Sequence, residues 1–275
     1  MTVNIKFHDV KEFLVKMERS GLPPFVRNYA AYARLCLGGI MPEGMKKILY
    51  LDSDTMIKDD ISGFYDSEID GKICLGVWDI IDEKYYTKNG IAPEHFYINS
   101  GVLLINLEEW KKHFSEDSIM KNYDVPNLDM PDQDIINVTL FRLGAKDYVA
   151  PMKYNLLMPF LEWDFDSVRK IFPVLDEKYY SREEFEESVR HPAIVHIVDG
   201  FNGRPWHKGN TNPLTPEWLS CLKESEFYAD FVPFEPSEIR FLLRAKVWIY
   251  RNLPPALSLL VIMLYKKLKH IFSRR

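Results

Sequence analysis

Four short apolar runs constrain this chain most: "KKILYLD" (46–52), "KICLGVWD" (72–79), "SGVLLINL" (100–107) and "PAIVHIVDG" (192–200). None alternates polar with apolar residues, as a strand with one wet face would, and each stops at an acidic or polar turn. Continuous runs of this length suit strands covered on both faces. Between them lie stretches with helical spacing. "NYAAYARLCLGG" (28–39) predicts a helix that stops at Gly-Gly, and "EEWKKHF" predicts another. "DQDIINVTLFRLG" (132–144) predicts a helix from Asp132 to Gly144, and "SREEFEESVR" (181–190) one with a serine cap three residues ahead of Glu184. Strands alternating with helices predict an α/β fold with a mostly parallel central sheet flanked by helices. In such sheets ligands bind beyond the carboxyl ends of the strands.

Bulk properties narrow the function classes. The 275 residues, 47% apolar and 27% charged, can form one large core or a core with an appendage. Three widely spaced cysteines (Cys36, Cys74, Cys221) make neither a disulfide framework nor a CxxC metal site, and so predict a reducing compartment. The first residues, "MTVNIKFHDVKEF", lack the apolar core of a secretory signal. The formal charge of −5 divides into +9 for residues 239–275 and −14 for the rest. An acidic body with a basic tail is the wrong distribution for a nucleic-acid binder.

The candidate chemistry gathers where strands end. In "YLDSDT", Asp52 and Asp54 stand two apart, and in extended backbone such side chains point the same way, with Ser53 turned away. Two carboxylates so close repel unless a cation lies between them, and Mg²⁺ or Mn²⁺ would suit them and bridge to a diphosphate. A solvated turn is the competing reading for an isolated DxD. Farther on, His196 lies in an apolar strand, where a histidine is more often a core residue than a ligand. It is followed by a turn holding Gly200, Gly203 and Arg204. Such a turn offers backbone N–H groups and a fixed cation to anionic oxygens. Asn99 opens a strand, and "PDQD" places Asp132, Gln133 and Asp134 at a helix start.

The order "NYAAYARL", "KILYLDSD", "LGVWD", "YINSGVLLINLEEW", "PDQDIIN" and "VHIVDGFNGRPWH" resembles glycosyltransferase family 8, over residues 25 to 210. The resemblance implies a GT-A fold, a UDP-glucose or UDP-galactose donor, Mn²⁺ (Mg²⁺ being possible), and hexose transfer with retention to a cell-surface glycan such as lipopolysaccharide. It further implies Asp52, Asp54 and His196 as metal ligands, with Asp52 also near the ribose. Arg34 would contact the donor sugar, Asp79 and Asn99 would line the sugar and acceptor pocket, and Asp132 would meet donor hydroxyls. Gln133 would lie at the reacting face of the anomeric carbon, and Gly200, Gly203 and Arg204 would hold the diphosphate. Arg204 stands where the family commonly has lysine. The resemblance also implies that two front strand–helix units, about 60 to 70 residues, precede the point where this chain begins. Without them, a non-catalytic remnant that binds metal or a partner is the alternative reading.

Residues 239–251, "IRFLLRAKVWIYR", mix aromatic and basic side chains at helical spacing, and 256–275 continue with an apolar stretch and a basic end. Pro254, Pro255 and Arg251 interrupt any run near the ~20 apolar residues a spanning helix needs. The chain is thus expected to divide into a catalytic domain, 1–238, and a basic amphipathic tail, 239–275. The tail would lie on the anionic inner face of a membrane, with the protein cytoplasmic and peripheral.

Overall fold

The computed structural model describes residues 4–25, 28–79, 81, 87–122, 128–171, 180–198 and 202–235, with 248–249, 252–254, 257–261 and 263–264 of the tail. Two sheets organise these residues. The larger holds β1 (Lys47–Leu51), β4 (Ile98–Asn106), β3 (Cys74–Trp78) and β5 (Val149–Ala150), in that order. The smaller holds β2 (Thr55–Ile57), β7 (Ile194–His196) and β6 (Leu156–Leu157).

β4 is the spine. It is buried along its length except at Asn106 and runs antiparallel to β1 on one side and β3 on the other. β3 pairs parallel with β5, and β7 pairs antiparallel with β2 and parallel with β6. The sheets are therefore mixed rather than mostly parallel. A continuous apolar run reports that both faces are covered, and β3 and β4 are covered; it carries no information about direction. The reversal of β4 has a functional consequence. Its first residues lie beside the carboxyl ends of β1 and β3, with Val102 opposite Leu51 and Ile98 opposite Trp78. Residues that open β4 thus face the same end of the sheet as residues that follow β1 and β3.

Helices cover the faces: α1 (Lys11–Arg19), α2 (Leu37–Ile40), α3 (Ser62–Tyr65), α4 (Leu107–His113), α5 (Glu116–Asn122), α6 (Pro131–Arg142), α7 (Met158–Glu162), α8 (Phe165–Ile171), α9 (Arg182–Arg190) and α10 (Thr215–Lys223). The core joins Val102–Ile105 to Trp110, Phe114, Ile135, Ile136, Phe160 and Phe185. α9 begins as its sequence predicts, with the Ser181 hydroxyl accepting from the Glu184 N–H at 3.1 Å. α6 is fixed to the front of β4 by Asn137, which accepts from the Ile98 N–H at 2.7 Å and donates to the Ile98 carbonyl at 2.8 Å.

Residues 28–39 differ from expectation. Ala30–Cys36 form a 3-10 turn, and α2 runs through Gly38 and Gly39 instead of stopping there. A Cβ at Gly38 would come within 2.9 Å of the Lys111 Cα, so this glycine permits α2 to press on α4. In the tail, the described residues include a helical turn from Leu257 whose Leu259 packs against the core, with Ser258 buried. No described helix is long and apolar enough to cross a membrane.

Candidate metal and sugar-nucleotide site

The DxD segment is the junction between the two sheets. The Asp52 N–H continues the β1–β4 ladder by donating to the Gly101 carbonyl at 2.8 Å, and the Ile197 N–H donates to the Asp54 carbonyl at 2.7 Å. Between them the chain turns, closed by the Thr55 N–H on the Asp52 carbonyl at 3.1 Å. The two aspartates face one point because of this turn, not because the backbone is extended; Ser53 is exposed, as expected.

His196 ends β7 opposite Thr55, and its ring lies over Gly101. Its Nε2 is 3.1 Å from Asp54 Oδ1 and 3.9 Å from Asp52 Oδ2. One ligand atom from each of Asp52, Asp54 and His196 lies within 4.8 Å of the others. Gly101 makes this possible, since a Cβ there would stand 2.2 Å from His196 Cε1 and 3.0 Å from Asp52 Oδ2. Arg204 completes the rim, its Nη1 3.2 Å from Asp54 Oδ2. Burial pushes the Asp54 carboxyl upward, but the His196 contact and the Arg204 charge outweigh it and hold the group below its usual range.

Beside the triad is a second cluster in which charge is internally matched. Arg34, buried in the 3-10 turn, places Nε 2.9 Å from Asp132 Oδ2 and Nη2 3.0 Å from Asp52 Oδ1. Its Nη1 donates to the Ser100 hydroxyl at 2.9 Å and to the Ser100 carbonyl. The guanidinium lies 4.8 Å from the centre of the Tyr50 ring, whose hydroxyl donates to Asp52 Oδ1 at 2.6 Å.

The residues expected at the sugar come together next to it. Asp79 follows β3, Asn99 is the second residue of β4, and Gln133 lies in the first turn of α6. Asp79 Oδ2 accepts from Asn99 Nδ2 and Gln133 Nε2, both at 3.1 Å. Burial raises the Asp79 carboxyl above its usual range, although both amides pull it down. Gln133 is held at both ends, because its Oε1 accepts from the Ser100 N–H at 2.9 Å. Asp134, next in line, is structural: it accepts from the N–H groups of Asp129 and Met130, each at 3.0 Å, and from Tyr97 and Asn89. Gly203 has a positive φ of 73°, a conformation that suits glycine; Gly200 lies outside the described residues.

Sequence reasoning missed Tyr50, Ser100 and Asn155. Asn155 is buried and bonded to both His196 and Asn99. Its only signal is a polar residue in the apolar context "MKYNLLM". The donor set fits a hard divalent ion of the Mn²⁺ type: two carboxylate oxygens and one imidazole nitrogen converge, with Arg204 beside Asp54 at the rim and Arg34, shared with Asp132, on the far oxygen of Asp52.

A family model described as glycosyl transferase family 8 matches residues 3–210. General stress protein A of Bacillus subtilis is 24% identical over 203 residues, 72% of this chain and 66% of that protein. A lipopolysaccharide 1,2-glucosyltransferase of Escherichia coli is 28% identical over 188 residues, 64% of this chain and 49% of that protein. The chain thus spans about half to two thirds of the length of these curated relatives. Among solved structures, galactosyltransferase LgtC in complex with donor and acceptor sugar analogues aligns with a TM-score of 0.59 at 23% identity, covering 79% of this chain and 77% of that one. The WbbM bifunctional glycosyltransferase aligns with a TM-score of 0.57 at 16% identity, covering 74% and 37%. These likenesses show the fold, which is the GT-A α/β fold.

Proposed function

The chain belongs to glycosyl transferase family 8, and from that premise we propose that it is a metal-dependent retaining hexosyltransferase. It moves glucose or galactose from a UDP-sugar to a cell-surface glycan such as lipopolysaccharide. The observation that carries this reading is the convergence of Asp52, Asp54 and His196 beside the buried Asp79–Gln133 pair. Relatives whose names specify glucosyl transfer to lipopolysaccharide, and a fold neighbour named as a galactosyltransferase, support the choice of hexose and acceptor.

Asp52, Asp54 and His196 would hold Mn²⁺ through one atom each. The bound ion would supply charge neutralisation for the departing diphosphate. Arg204, at the rim, would turn its guanidinium to a second phosphate oxygen. The state of Gln133 bears on stereochemistry. Double displacement needs a nucleophile under the anomeric carbon. The carbonyl oxygen of Gln133 is an amide oxygen already taken by the Ser100 N–H. A same-face route is therefore favoured: the acceptor hydroxyl forms the new bond to C1 as the bond to phosphate oxygen breaks, and its proton passes to the leaving phosphate. Asp79 and Asn99 would orient the sugar hydroxyls at that face.

The exposed surface of the tail supports attachment to an anionic membrane. Leu257, Leu260 and Leu264 lie on one helical stripe and are exposed, as is Trp248, within a segment that carries nine cations and no acids. Deleting residues 239–275 is expected to release the protein from anionic liposomes and leave UDP binding in place. Titration calorimetry with UDP-glucose, UDP-galactose and Mn²⁺ tests the main reading. Metal-dependent binding of a UDP-sugar with slow hydrolysis is expected, whereas no nucleotide binding with or without metal would point to a remnant.

A further inference from the structure

A line of amides runs from the sugar-facing residues to the metal-facing histidine, and its direction is set by backbone groups that can only donate. The Gly101 N–H points at Asn99 Oδ1, 2.9 Å away, which makes that atom the oxygen and turns the Asn99 NH₂ toward Asp79. The same Asn99 oxygen lies 2.9 Å from Asn155 Nδ2, so Asn155 must present its NH₂ there. Its other end, Oδ1, therefore faces His196 Nδ1 at 3.1 Å. An amide oxygen only accepts, so Nδ1 must carry the proton.

We infer that Asn155 is a positioning residue that selects the His196 tautomer able to bind a metal ion. A neutral imidazole has one N–H. With that proton held on Nδ1, the lone pair is on Nε2, the atom that faces Asp54 and Asp52. Without Asn155, the favoured neutral tautomer would be the opposite one. Nε2–H would donate to Asp54 Oδ1 at 3.1 Å, closing the site by an internal hydrogen bond. Asn155 would thus act on the ion without touching it, as outer partners of ligating histidines do. Because Asn155 shares an acceptor with the Gly101 N–H, and Asn99 also reaches Asp79, the ligand geometry is tied to the sugar-facing end of the site. This inference rests on the proposed metal site, but its direct readout does not need a metal.

The test is the nitrogen chemistry of His196 in metal-free protein labelled with ¹⁵N-histidine, read by long-range ¹H–¹⁵N correlation at pH 8. His196→Gln assigns its signals among the seven histidines. Wild type is expected to show a protonated Nδ1, held on Asn155 Oδ1. In Asn155→Leu the pattern is expected to reverse or average, with Mn²⁺ affinity falling about 10- to 100-fold. Asn155→Asp keeps an acceptor opposite Nδ1 but sets its second oxygen against Asn99 Oδ1, so it is expected to retain the protonated Nδ1 while losing the link to Asn99. An unprotonated Nδ1 in wild type overturns the inference even if Asn155→Leu fails to fold. So does an Asn155→Leu protein with unchanged tautomer and affinity. If wild type binds no Mn²⁺ yet shows the expected tautomer, the metal reading fails and the positioning role stands.

Discussion

The Arg34 cluster and the Asp52–Asp54–His196 triad are neighbours built from similar residues with opposite electrostatics. In the first, one buried guanidinium matches Asp132 and one oxygen of Asp52, with Ser100 and Tyr50 taking remaining positions. In the second, two carboxylates and an imidazole converge with a single cation at the rim. Asp52 belongs to both: Oδ1 is held by Tyr50 and Arg34, and Oδ2 faces His196. The first cluster fixes geometry and the second leaves charge unmatched, which is how a rigid site holds ligands ready for an ion it does not supply itself.

The comparison is broken most severely at its shared support. Arg34→Met should cost about 3–5 kcal/mol of stability, because it leaves Asp132 and Asp52 with no buried cation. Thermal or urea unfolding measures it, and a loss under 1 kcal/mol would mean that Asp132 does not depend on the pair. Gly101→Ala drives a methyl into His196 and Asp52. It should cost about 1–3 kcal/mol and remove Mn²⁺ binding together with the His196 placement.

Asp79→Asn should have the opposite sign, raising stability by about 0.5–2 kcal/mol while transfer is lost. The carboxyl is raised by burial in the fold, so the folded state holds its proton to higher pH than the unfolded chain does. Stability is therefore given up as pH rises from the unfolded value near 3.9 toward the raised folded value. The gain from Asp79→Asn should accordingly be largest at neutral and alkaline pH and vanish near pH 4, which melting curves across pH would show. Asp54→Asn should change stability least, within about 1 kcal/mol without metal. It should nevertheless abolish Mn²⁺-dependent UDP-sugar turnover, and wild-type turnover in this variant would separate the triad from the chemistry.

Much of this was legible in the chain. β1, β3 and β7 fall within the apolar runs, β4 begins two residues ahead of its run, α9 carries the expected Ser181 cap, and α6 lies within two residues of its expected bounds. Asp52, Asp54, His196 and Arg204 lie together; spacing bore only on the two aspartates, and only the family resemblance linked His196 and Arg204 to them. The direction of β4 was not legible, since burial on both faces is the same for either orientation. Gly38-Gly39 misled because glycine permits close packing as readily as it ends a helix, and only the position of Lys111 distinguishes the two. The convergence of Asp52 and Asp54 was right for the wrong backbone, a turn shared by two sheets. Asn155 was hidden because its partners lie 41 and 56 residues away in the chain.

The central claim is that one cation joins residues 52, 54 and 196. Its most direct measurement is Mn²⁺ titration of wild type and His196→Ala, followed by the loss of the free-ion electron paramagnetic signal, with and without UDP. The account predicts one tight ion per wild-type chain, tightened further by UDP, and binding weakened at least tenfold in His196→Ala. Equal Mn²⁺ binding in the two proteins would contradict it.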